Sequence, residues 1–360
     1  TKDEDFPKSI LTCFSKDRLL IFTDQGRVYG LKAWETPQGS RLSRGSHIRN
    51  LIERIRDDEK VVTILPISKE LQENPEGHYL IFATHEGVVK RSKLEDYTRI
   101  NRNGKFALKF KSESDSLVAV REATDEDHVV LVSKNGRACR FKPSETKENP
   151  DGSIGFTVKV QGRVTAGVRG MKLKQGDAVV GMIATSNEDT HVLTLSKYGM
   201  AKRSRLGDGE MHDIDPPVKD EKTGKNKQYR DGYRKTNRGA GGVATMKLDE
   251  EHNDEIVRVH TIPDLGDQLF ILTGKGMMIR VRADQTKETT GKSTKGTRVM
   301  ELRDKDKGGF VDEIIFSARL PAELIDEEDD FDSMDTNQDG VIDREDFEAA
   351  QQEIAGREEE

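Results

Sequence analysis

The apolar and polar positions of this chain follow one pattern five times over. A strand-length apolar run meets a glycine, and a second run then turns basic. The copies are IFTDQGRVYGLK (21–32), IFATHEGVVKRS (81–92), LVSKNGRACRFK (131–142), TLSKYGMAKRSR (194–205) and ILTGKGMMIRVR (271–282). Each of Gly26, Gly87, Gly136, Gly199 and Gly276 therefore reads as a hairpin turn between antiparallel strands. A second glycine follows in every copy: Gly45, Gly104, Gly167, Gly242 and Gly296. Six residues beyond it stands an apolar residue, Leu51, Phe110, Leu173, Leu248 or Leu302. A further apolar run closes each copy, at 61–67, 116–123, 178–184, 255–262 and 311–318. Units of about four strands recurring every 50 or so residues predict an all-β, propeller-like fold.

Blades stack face to face, so a strand enclosed on both sides reads as a continuous apolar run, as YLIFA does at 79–83. The strand after the turn is expected to reach a rim, where long cationic side chains cost little. On it fall Lys90, Arg91, Arg137, Arg140, Lys142, Lys202, Arg203, Arg205, Arg280 and Arg282, with Arg27 just after the first glycine. A merely solvated face mixes both signs; this one is almost wholly positive and predicts a polyanion-binding rim. Near the second glycines Arg41, Arg44, Arg102, Lys105, Arg169, Arg238, Lys292 and Lys295 extend the same track.

Charge sharpens this reading. The formal net charge of −7 divides into −15 for residues 321–360, where 17 acidic residues face two basic ones, and +8 for residues 1–320. A basic body with an acidic tail points to a polyanion partner. No apolar run approaches the roughly 20 residues of a membrane helix, so no membrane partner is expected. The opening TKDEDFPKSI carries no signal peptide and reads as a segment from inside a longer protein. Cys13 and Cys139 have no metal-ligand spacing and fit a reducing cytoplasm. No P-loop, no Gly-x-Ser-x-Gly and no His ligand spacing occurs, so no catalytic residues are assigned.

The stretch TDQGRVYGLKAWETPQGSRLSRGSHIRNLI resembles the C-terminal DNA-wrapping domain of the gyrase A subunits and their topoisomerase IV relatives. Gly26–Tyr29, Pro37, Arg41 with Arg44, and Gly45 through Asn50 and Leu51 carry the likeness; RNGKFALKF (102–110) and TAGVRGMKLKQGDAVV (165–180) extend it. The resemblance covers about residues 1–318 and implies a β-pinwheel, a ring of four-stranded blades whose rim wraps duplex DNA. It implies five complete blades here (10–68, 78–123, 127–186, 190–263 and 267–320) within a domain at 10–320. Residues 1–9 would be the remnant of a preceding blade, making six in the parent. It further implies that the cleaving core of the gyrase A polypeptide lies upstream. An ATPase B subunit would complete an A2B2 heterotetramer, with ATP and Mg²⁺ used elsewhere in the enzyme and no cofactor needed for DNA binding. The box that separates gyrase from topoisomerase IV would precede Thr1. The location expected is the bacterial cytoplasm. A propeller serving protein–protein contact is the alternative, and the one-signed rim favours DNA.

Two segments stand apart. The insert 206–236 mixes both charges with prolines and glycines and reads as a loop. In the tail, DTNQDGVIDRED (335–346) has the EF-hand calcium-loop pattern. Asp335, Asn337 and Asp339 fall at positions 1, 3 and 5, Gly340 at the sharp turn, the Val341 carbonyl at 7 and Asp343 at 9. Asp346 stands at position 12, where Glu normally reaches the ion with both oxygens, so weaker Ca²⁺ binding, or tolerance of Mg²⁺, is expected. The flanks predict a helix–loop–helix, and a plain acidic tail is the alternative.

Overall fold

The structure, a computed structural model, describes residues 11–39, 45–52, 54–148, 152–219, 223–289, 294–303, 309–324 and 341–342. The first repeat contributes β1 (Arg18–Thr23), β2 (Arg27–Lys32), a one-turn helix α1 (Ile48–Leu51) and β3 (Val61–Ile67), followed by α2 (Lys69–Glu73). The second supplies β4 (Tyr79–Thr84), β5 (Val88–Lys93), β6 (Lys105–Phe106) and β7 (Leu117–Ala123). The third has β8 (His128–Ser133), β9 (Arg137–Phe141), β10 (Thr146–Glu148), β11 (Ile154–Phe156), β12 (Val168–Arg169) and β13 (Val179–Thr185). The fourth runs through β14 (His191–Ser196), β15 (Met200–Arg205), β16 (Met211–Asp213), β17 (Gln228–Arg230), β18 (Val243–Ala244) and β19 (Ile256–Ile262). The fifth has β20 (Gln268–Thr273), β21 (Met278–Arg282), β22 (Thr297–Arg298) and β23 (Ile314–Leu320), and the tail adds β24 (Val341–Ile342).

All five hairpin glycines adopt positive φ, between 71° and 89°. In each turn the glycine N–H returns to the carbonyl of the hydroxyl residue three positions earlier: Thr23, Thr84, Ser133, Ser196 or Thr273. Those five residues are buried. The turn therefore has the same form in every repeat, with glycine at the left-handed position.

The strands assemble into five four-stranded antiparallel sheets, the blades of a β-propeller of pinwheel type. Their orders are β3-β1-β2-β6, β12-β5-β4-β7, β13-β8-β9-β18, β19-β14-β15-β22 and β23-β20-β21-β24. The four strands of a blade do not come from one repeat. In blades one to four the outermost strand is donated by the repeat that follows: β6, β12, β18 and β22 each pair with the second hairpin strand of the preceding repeat. Parallel bridges extend the crossing, Val160 with Arg91, Lys235 with Arg140 and Glu288 with Arg203. The chains approach so closely that a Cβ on Gly167 would lie 2.4 Å from the Val89 carbonyl oxygen.

The chain forms two compact units. One holds residues 11–188 and 234–244, which make blades one to three. Its core lies between blades: Leu20, Phe22, Leu80, Phe82, Tyr97 and Val120 join blades one and two, with the Phe22 and Phe82 rings edge-on at 5.7 Å. Ile81, Leu131, Phe141 and Met182 join blades two and three. The other unit holds residues 189–233 and the described residues from 245 onward. There Leu193, Leu195, Leu269, Ile271 and Ile314 fill the space between blades four and five. The insert 206–236 is not simply a loop, because it contains the hairpin β16–β17, with His212 opposite Tyr229. The expected remnant at 1–9 lies outside the described residues. Of the helices expected to flank 335–346, only the start of the first is described, as a short 3-10 turn at Ala322–Leu324.

Candidate nucleic-acid interface

Strand exchange decides which cations can meet a ligand. The strand after each turn is third in its sheet, not outermost, because the donated strand lies beyond it. Lys90, Arg91, Arg140, Lys202 and Arg203 are at most 6% exposed. The expectation that they stand on a solvent-facing rim is therefore corrected: arms of the chain cover them. The Lys90 ammonium donates to the carbonyls of Ala107 and Arg163, both at 2.5 Å, and of Gly162 at 3.2 Å. Lys202 donates to the Thr245 carbonyl. Burial drives the Lys90 pKa down to about 7 and that of Lys202 to about 8. Arg91 stacks on the Tyr79 ring, 3.8 Å from its centroid, and pairs with Asp125. Arg203 donates through Nε to the Thr286 carbonyl at 2.9 Å and lies 3.5 Å from Glu288. The Arg140 carbonyl accepts from the Thr236 N–H at 2.7 Å. Lys90 and Arg203 fasten arms of the following repeat through their side chains, Arg91 and Arg140 through their backbone carbonyls. All five side chains are buried away from any phosphate in solvent.

Other predicted cations are half-buried and engaged. Arg27 donates to the Tyr29 hydroxyl at 2.9 Å and lies over Phe106, 5.2 Å from its centroid. Arg137 donates to the Gly241 and Gly242 carbonyls at 2.7 and 2.5 Å, holding β18 in place. Arg238 donates to the carbonyls of Thr157 and Arg169 at 2.6 and 2.7 Å. Lys142 pairs with Glu126 at 2.9 Å, and Arg205 with Asp189 at 2.5 Å and Asp231 at 3.6 Å. Arg280 reaches the Gln268 side chain. Exposed but paired are Arg102 with Glu35 (3.2 Å), Arg282 with Asp284 (2.5 Å) and Lys295 with Asp249 (4.0 Å). Such surface pairs are weak and exchange readily for a phosphate. Arg41, Arg44 and Lys292 lie outside the described residues.

Of the predicted cations, the exposed ones without an acidic partner among the described residues lie on donated strands. In the first unit Lys105 on β6 and Arg169 on β12 are exposed and meet no carboxylate among the described residues. Five residues after the second glycine stands a lysine missing from the expected track: Lys109 and Lys172 here, Lys247 in the other unit. All three are exposed. The next residue explains the placement: Phe110 and Leu173 turn inward against Gly26 and Gly87 of the preceding repeat, so the lysine before each faces solvent. In the second unit Lys295 stands just before β22 and Arg298 lies on it, the latter paired with Glu301. Phe106 is 52% exposed beside Lys105.

Of the calcium-loop ligands only Val341 is among the described residues, and Asp335, Asn337, Asp339, Asp343 and Asp346 lie outside them. Elsewhere Asp249, Glu251 and His252 cluster. Asp249 already binds Arg303 at 3.0 Å and His252 at 3.1 Å, which accounts for the grouping. No helix among the described residues is long and apolar enough to cross a membrane.

Comparison with known proteins agrees with this construction. The family described as "DNA gyrase C-terminal domain, beta-propeller" matches residues 17–68, 78–123, 157–186, 231–263 and 267–307. The DNA gyrase A polypeptide of Staphylococcus epidermidis is 36% identical over 312 residues, covering 86% of this chain and 30% of that protein. Its counterpart in a Staphylococcus aureus strain is 33% identical over 342 residues, 95% of this chain and 33% of the relative. The chain thus spans about a third of these relatives' length. Among solved structures, the C-terminal domain of a DNA topoisomerase IV superposes with a TM-score of 0.65 at 22% identity, covering 86% of this chain and 80% of that one. A DNA gyrase A C-terminal domain gives 0.60 at 21%, covering 86% and 84%. At these identities the superpositions speak for the fold.

Proposed function

Because this chain belongs to the DNA gyrase C-terminal domain family, we propose that it binds and wraps duplex DNA as the non-catalytic part of a type II topoisomerase of the gyrase A kind. The observation that carries this reading is the set of accessible cations on the donated strands and just beyond them, Lys105, Lys109, Arg169 and Lys172 in one unit. Phosphate contacts from such side chains release counterions and bind without regard to sequence, as wrapping requires. Bending the duplex costs several kcal/mol, which many weak contacts offset together. The donated strands are too short, and too poor in aromatic residues, to make stacking platforms for single strands.

In this reading the cleavage chemistry and the use of ATP and Mg²⁺ belong to other parts of an A2B2 enzyme in the bacterial cytoplasm. This domain hands the bound segment to them. The tail loop 335–346 is assigned a Ca²⁺ site, with Asp335, Asn337, Asp339, Asp343 and Asp346 as side-chain ligands and the Val341 carbonyl completing the set. Calcium would lower the tail's negative charge and weaken its competition with DNA for the basic body.

Binding to relaxed circular DNA, followed by nicking-closing and gel analysis, tests the wrapping claim. Wrapping leaves the circles with a changed linking number. Unchanged linking number at saturating protein would reject wrapping, and absence of binding at low salt would reject the DNA partner itself.

A further inference from the structure

We propose that Val341–Ile342 of the acidic tail closes the outer edge of blade five, in the place that the following repeat fills in the other four blades. β24 is the fourth strand of that sheet, with Val341 opposite Ile279 and Ile342 opposite Met278. The sequence supports the substitution. Each donated pair directly follows a glycine: Gly104 precedes Lys105–Phe106, Gly167 Val168–Arg169, Gly242 Val243–Ala244 and Gly296 Thr297–Arg298. The tail repeats this order, with Gly340 preceding Val341–Ile342. No sixth apolar–glycine–basic run follows β23 in the sequence.

The edge is one that needs a partner. Arg280 and Val281 of β21 are only partly buried, whereas their equivalents Arg91 and Ser92, and Arg203 and Ser204, are buried under arms from the next repeat. A bare edge of this kind pairs with any available strand. The register differs by one residue from that of the other blades. Donated pairs there lie opposite the first and second residues after the hairpin glycine, as at Val88 and Val89; here they lie opposite the second and third after Gly276. A one-residue shift exchanges the faces of a strand, and a tail pair that is β-branched and apolar at both positions suits either face.

Hydrogen exchange on the full chain reads this pairing independently of DNA. In a Val341→Pro/Ile342→Pro variant, protection of amides in 278–282 should fall on the order of tenfold or more, with β4 and β8 amides unchanged as the record of folding. A Val341→Thr/Ile342→Thr variant, still able to pair, should keep most of the protection. Unchanged protection in the proline variant would overturn the proposal. So would protection in the unmodified chain that rises with protein concentration, since a second copy would then be covering the edge.

Discussion

Gly296 passes so close to Ala201 that a Cβ added to it would lie 2.2 Å from the Ala201 carbonyl oxygen. Its φ of 87° is also one that side-chain-bearing residues avoid. The contact joins the fifth repeat to blade four through β22, so it is a point at which exchange is enforced. Gly296→Ala should destabilise this unit by about 3 kcal/mol or more, combining left-handed strain with the displacement of β22. Urea unfolding measures it. The control is Gly45→Ala, where a Cβ meets nothing within 4 Å and the loss should stay below about 1 kcal/mol.

Lys90 gives the fold a pH signature. Its folded pKa of about 7 lies below the ordinary value of 10.5, with burial the cause. Between those values the unfolded chain binds the proton and the folded chain does not, so stability rises with pH across roughly 7 to 10.5 and is flat below. Lys90→Met removes this contribution. The stability difference between the parent and Lys90→Met should shift in the parent's favour by on the order of 3 kcal/mol from pH 7 to pH 10. Denaturant titrations at both pH values read it, and a pH-independent difference would show that Lys90 is not buried.

Much of this architecture is legible in the sequence, and the part that is not has a physical reason. The hairpin glycines and the runs around them announce five repeats because the information is local: an apolar run, a turn, another run. Strand donation is not local. β6 and β12 are two residues each, too short to carry a periodicity, and the partner of Gly104 is Tyr29, 75 positions earlier. Without the donated strands the second hairpin strand reads as an edge, and Lys90 and Arg91 as residues of a rim. The sign of the charge is legible in the sequence and its depth is not. The accessible lysines do leave a signal, recurring five positions after the second glycine at Lys109, Lys172 and Lys247.

The tail loop has its own test. Calorimetry of the full chain should detect one Ca²⁺ site, abolished by Asp335→Asn/Asp339→Asn. Asp346→Glu should tighten it on the order of tenfold by restoring two-oxygen ligation at position 12. Equal heats for all three proteins would remove calcium from the account.

DNA affinity as a function of salt tests the interface most directly. Lys105, Lys109, Arg169 and Lys172 together replaced by Ala remove four phosphate contacts while leaving the buried lysines and arginines in place. The slope of log affinity against log salt should become shallower by about 3 to 4, with binding weakened at every salt concentration and the thermal unfolding midpoint unchanged. A slope and affinity equal to the parent's, in a protein that remains folded, would contradict the assignment of the donated strands as the surface that meets DNA.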